Sequence, residues 1–192
     1  MTDARDLLNE SRRELARFST LLELLVGELD EATWRARPAP GEWAPVEIVC
    51  HLRDEETEDF GARLRVILEG GARFAPNDPE RLAVDRQYRQ ANPSEALAAF
   101  RARRRTSLDL LGSVVPDRLL GTAERPSGGR LSGLDLLASW VAHDRLHLQQ
   151  LAGTLARRWA DRWAPLQVEY AGPIPYGRRQ AEGISRDKSD GP

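Results

Sequence analysis

Cysteine, methionine, histidine and lysine are all scarce in this chain of 192 residues. There is one cysteine, Cys50, one methionine, three histidines, and Lys188 as the only lysine. A lone cysteine excludes an internal disulfide and fits a reducing, cytoplasmic setting. Positive charge therefore rests on arginine, and 28 Lys+Arg against 30 Asp+Glu leave a formal net charge of -2. No basic field of the kind that attracts nucleic acid or an anionic membrane is present. Long apolar runs are also missing: none approaches the roughly 20 residues of a membrane span. The first residues, MTDARDLLNESRREL, carry charges throughout and lack the apolar core of a signal peptide. These absences point to a cytoplasmic protein without nucleic-acid or membrane partners, of a length that defaults to one domain.

What is present is helical periodicity. Leu7, Leu8, Leu15, Phe18, Leu22, Leu25 and Val26 recur at three-to-four spacing and predict a helix from about Asp3 to Leu29. The prolines and glycine of DEATWRARPAPGEW end it. A second helix starts at WAPVE, with Pro45 suited to the first helical position and Glu47 near its positive end, although Ala44 is a poor cap. It is expected to run through Leu68 and stop at Gly70-Gly71. RFAPNDPERLAVDRQYRQA then reads as a long crossover connection.

NPSE opens the third helix, Asn92 capping and Glu95 in the capping-box position, and that helix is expected to end near Leu111 at Gly112. After a second loop, SGLD repeats the signal with Ser132 and Asp135, and the fourth helix continues to about Trp159. No stretch reads as a strand, and SGGR at 127–130 is a turn rather than a phosphate loop. The expectation is an all-α four-helix bundle with long crossover loops over residues 1–165. An irregular C-terminal extension, 166–192, should lie partly over the bundle and fray after Gln180.

His143 and His147 stand four apart in WVAHDRLHLQQ. Residues at i and i+4 leave a helix on one face, so both imidazoles can approach one point. The pair lies at the edge of an apolar arc centred on Leu137, Val141, Leu148, Leu151 and Leu155. A metalloprotease helix would carry a glutamate after the first histidine, whereas this chain has the shorter Asp144. A catalytic zinc normally takes three protein ligands, and the remaining histidine is His51, beside Ile48 and Leu52 on the second helix. One inward residue of that helix can meet the i,i+4 pair of the fourth, so a three-histidine site is available. The plainer alternative is three hydrogen-bonded histidines on helix flanks.

Asp144 projects into the apolar arc and needs a partner, because an unpaired buried carboxylate is costly. Two partners are open: the free ring N–H of a ligand histidine such as His51, or an arginine or indole N–H elsewhere. Glu56, Asp59 and Arg63 share a helix face and favour an internal salt-bridge cluster. Glu55 or Glu56 is alternatively a general base near His51. Cys50 reads as a small core residue, Trp43, Trp140, Trp159 and Trp163 as packing residues, and Arg101 to Arg105 as a solvated face.

These motifs carry a resemblance. RPAPGEWAPVEIVCHLRDEE and HDRLHLQQL, with about 90 residues between His51 and His143, are similar to the paired motifs of the DinB/YfiT-like superfamily. The similarity covers roughly Leu7 to Leu155. It implies a four-helix bundle with up-up-down-down-like connections, often dimeric, so that a homodimer is expected. It also implies a divalent metal, zinc or nickel, held by His51, His143 and His147. Relatives of this kind include S-transferases and isomerases that use thiols such as bacillithiol and mycothiol. The resemblance thus implies a small-molecule thiol cosubstrate and an electrophile; Glu55, Glu56 and Asp144, read from their places near the histidines, are the catalytic or supporting candidates. Against it stand a non-catalytic, stress-associated bundle and a metal-dependent hydrolase. The tail after Trp159 and the Ala44 cap depart from the family pattern and leave the substrate open.

Overall fold

A computed structural model describes residues 3–176. Helix α1 spans Ala4–Val26, and a short α2, Glu31–Trp34, interrupts the loop that follows. The second long segment is split into α3, Pro45–Glu58, and α4, Phe60–Leu68. The crossover contains α5, Pro79–Asp85, and a 3-10 turn at Tyr88–Gln90. Helix α6 covers Pro93–Ser113 and α7 covers Gly133–Arg162. Between them a two-stranded antiparallel hairpin pairs β1, Thr122–Glu124, with β2, Arg130–Ser132.

The four-helix bundle is as expected: α3 packs chiefly on α6, α1 on α7 and α6, and α4 on α7. The start signals act as their chemistry requires. Ser132 Oγ accepts from the Asp135 N–H at 3.1 Å while Asp135 accepts the Ser132 N–H at 2.9 Å, a reciprocal capping box. Asn92 accepts from the Glu95 N–H at 3.1 Å. Ala44 has no side chain to offer, but Glu47 accepts the Ala44 N–H at 2.9 Å and supplies half of that arrangement.

Several expectations need correction. Helix α1 ends at Val26 rather than near Leu29, with Gly27 as its cap. The second helix is not continuous, because Asp59 leaves helical geometry at φ -117° and ψ -86°. Gly61 explains how the break is tolerated: a Cβ there would lie 2.0 Å from the Glu56 carbonyl oxygen. The third helix runs past Gly112 to Ser113, and the fourth reaches Arg162. Where the sequence suggested no strand, the two glycines 128 and 129, both at positive φ, let the chain reverse into the hairpin. Of the four tryptophans read as packing residues, Trp140 is buried, whereas Trp159 and Trp163 are 59% and 45% exposed and pack on each other at 5.6 Å. Pro175 and Tyr176 approach Gly153 on α7, and the expected fraying after Gln180 lies outside the described residues.

Candidate metal centre

Helix α7 carries His143 and His147 one turn apart, and α3 brings His51 against them. The Nε2 atom of His143 lies 3.1 Å from that of His51 and 3.1 Å from that of His147. One ligand atom from each ring falls within 4.8 Å of the others. Ring centroids are separated by 5.2 Å for His51–His143, 4.8 Å for His51–His147 and 4.4 Å for His143–His147. Trp43 and Phe60 close the flanks, with centroids 5.1 Å from His51 and His143 respectively. The break at Asp59 turns the chain so that Asp59, Phe60 and Arg63 join this wall.

Burial sets the charge state. It pushes His51 down to about 3, with repulsion from His147 adding to the effect. Burial likewise pushes His143 down to about 2, helped by its two histidine neighbours and Arg104. Burial also lowers His147, against the opposing effect of its bond to Gln150. All three rings are therefore neutral at pH 7, the form that ligates metals. His147 Nδ1 and Gln150 Oε1 are 2.9 Å apart, so Nδ1 donates to the amide oxygen and Nε2 is left with its lone pair facing inward.

This donor set fits a cation. A ring nitrogen holds one proton or one in-plane lone pair, so His143 Nε2 cannot make good hydrogen bonds to both neighbours. The two 3.1 Å separations from His143 Nε2 are near the spacing of about 3.3 Å between ligands of a tetrahedral ion with metal–nitrogen bonds of about 2.0–2.1 Å. The buried Nδ1 of His143 has no hydrogen-bond partner among the described residues. The three rings open onto a cavity of about 560 Å³, also lined by Trp43, Glu55, Asp59, Arg63 and Gln150.

Glu55 is the acidic candidate that reaches this cavity. Its Oε1 is 3.7 Å from His51 Nδ1, and Asn77 donates to it at 3.2 Å. Burial, then the Asp59 charge, pushes its carboxyl up to about 8, which places a proton-carrying group beside the histidines.

Glu56 and Asp144 are elsewhere. Asp144 accepts from Arg104 through both oxygens, at 2.6 and 3.0 Å, and Glu56 Oε1 accepts from Arg104 Nε at 2.8 Å. Arg104 also donates to the Leu15 carbonyl at 2.9 Å and sits 5.0 Å from the Phe100 ring centroid. One guanidinium thus joins α1, α3, α6 and α7. Burial opposes its charge, but Asp144 and Glu56 outweigh burial and hold its pKa above the ordinary arginine range. Of the two partners open to Asp144, the structure has the arginine. The reading of residues 101–105 as a solvated face is corrected at Arg104, which is 1% exposed.

Sequence reasoning missed Gln150, which stands one turn after His147, and Arg104. The signal for Arg104 was its place on the buried stripe of Leu97, Phe100, Ser107 and Leu111.

The fold and site together define a class, four-helix bundles with a histidine triad between helices. The chain belongs to the DinB superfamily, whose sequence profile matches residues 3–151. No curated protein sequence matches it significantly. Among solved structures it is similar to YfiT from Bacillus subtilis, described as a probable metal-dependent hydrolase with an unusual four-helix bundle topology. That match has a TM-score of 0.74 at 17% identity, over 83% of this chain and 90% of YfiT. It is also similar to a mycothiol-dependent maleylpyruvate isomerase, with a TM-score of 0.62 at 14% identity, covering 79% of this chain and 63% of the isomerase. Identities this low establish the shared fold alone. Among the described residues no helix is long and apolar enough to cross a membrane.

Proposed function

We propose that His51, His143 and His147 hold a divalent metal ion, zinc or nickel, and that the protein is a metal-dependent enzyme transferring a small thiol to an electrophile. The observation that carries this reading is the convergence of three neutral imidazole nitrogens at the wall of an open cavity. A divalent ion bound there would lower the pKa of a thiol enough to make it a nucleophile at neutral pH. The chain's own residues do the rest. Gln150 fixes the tautomer of His147, Trp43 and Phe60 exclude water from the flanks, and Glu55 holds or releases a proton at its Oε1. Glu56 and Asp144 support the site indirectly, through Arg104. The fold shared with a mycothiol-dependent isomerase supports a thiol as cosubstrate. The reading includes a cytoplasmic homodimer, a bundle domain over 1–165 and an extension over 166–192; the single cysteine supports the reducing compartment.

Hydrolysis is the second reading, supported by the likeness to YfiT and by Glu55 as a protonated carboxyl able to give a proton to a leaving group. Incubating the metal-loaded protein and an electrophile with bacillithiol, mycothiol or glutathione separates the readings. Thiol consumption that disappears in His143→Ala is the expected result. Product formed without thiol would mean hydrolysis, and no turnover in either arm would mean a non-catalytic bundle.

A further inference from the structure

The crossover between α4 and α6 is fastened at two posts. Phe74 is 1% exposed, and its N–H donates to the Glu124 carbonyl of β1 at 2.9 Å. Tyr88 is equally buried, and its hydroxyl donates to Asp54 Oδ2 at 2.7 Å. Asp54 also accepts from Arg53, Arg86 and Arg103, so the second post is tied to α3 and α6 together.

Between the posts the chain is lightly held. No residue from 75 to 87 is buried, and α5 presents only Leu82 and Ala83 to the edge of the core. Among the described residues, Asn77 alone joins residues 75–85 to the bundle by hydrogen bonds. Its Nδ2 donates to Glu55 Oε1 at 3.2 Å and to Asp59 Oδ2 at 3.0 Å. Both of those acidic residues line the histidine cavity, as do Pro79 and Glu80 from the segment itself. Few buried apolar contacts mark the parts of a protein that open locally, and lids are drawn from such parts. Gln87, left-handed at φ 50°, turns the chain between α5 and the Tyr88 post, where a swing would be taken up.

We infer that residues 75–85 are a lid on the histidine cavity, fixed at Phe74 and Tyr88 and latched by Asn77 onto Glu55 and Asp59. Releasing the latch swings Pro79 and Glu80 away from the cavity and widens its mouth. The lid belongs to the cavity of the proposed metal site but needs no metal to operate, so the two readings fail separately.

Two rates measured on the untagged, full-length chain test it. All three histidines of the sequence line this cavity, so ethoxyformylation of histidine by diethyl pyrocarbonate, followed by ultraviolet absorbance, reports access to it alone. Trypsin cleavage after the exposed Arg81 reports opening of the segment. Asn77→Ala removes both hydrogen bonds, and Asn77→Leu removes them while keeping the bulk. Each should speed both rates by about tenfold, as loss of a pair of hydrogen bonds shifts an opening equilibrium. Both rates should depend only weakly on urea below the unfolding transition, because a swinging lid exposes little new surface. Unchanged rates in the two variants overturn the latch. Faster cleavage without faster ethoxyformylation overturns the lid, since the segment then moves without governing the cavity. A steep urea dependence of both rates would mean that the bundle opens as a whole, and overturns it as well. Zinc that gives the histidines no protection contradicts the metal reading alone, and the lid then stands or falls on the two rates.

Discussion

At the scale of single residues, one side chain orients the histidines and another holds together the helices that carry them. Gln150 holds His147 in the tautomer that turns Nε2 inward. Losing such a partner typically weakens metal binding by about 10–100-fold, so Gln150→Ala should do so in competition with a chromophoric chelator while the melt is little changed. An unaltered affinity would mean that the amide does not orient the ring. Arg104 is the other, and its role concerns stability. Arg104→Ala leaves Glu56 and Asp144 buried without their cation, which should cost about 3–5 kcal/mol in urea unfolding. The histidines were legible from spacing, because i,i+4 places two rings on one helix face. Asp144's need for a partner was legible too, since burial of a lone charge is unfavourable. The identity of that partner was not. Arg104 sits among arginines that face solvent, and only the stripe of apolar neighbours on α6 distinguishes it.

Among elements, the break between α3 and α4 contributes most to the cavity. The hydrophobic pattern runs through it unbroken, since Leu52, Phe60 and Ile67 keep helical spacing on either side. A periodicity argument therefore reads one helix where there are two. Gly61 is where the break shows in sequence, yet an isolated glycine in a helical run is ambiguous. Gly61→Ala would force its Cβ against the Glu56 carbonyl, so the segment must shift. We expect a loss of about 2 kcal/mol or more in thermal unfolding, as for other steric conflicts in a packed interior. A variant as stable as the parent would show that the break is not sterically fixed. The hairpin and α5 escaped the sequence reading for a different reason. Strands of three residues and a helix of seven are too short to show a period, and their form depends on what they pack against.

For the whole molecule, the bundle was the most legible feature, because long amphipathic segments with clear caps have few other ways to bury their apolar faces. Its assembly places a buried ion network at the centre and a histidine triad at the wall of a cavity, with α3 and α7 contributing to both. The C-terminal tail was less legible: proline and glycine predict irregular structure but not where it lies. Metal content tests the central claim most directly. Elemental analysis of the purified protein and of His143→Ala should find one divalent ion per chain in the first and a stoichiometric loss in the second. No bound metal in the parent, or the same content in both, would contradict it.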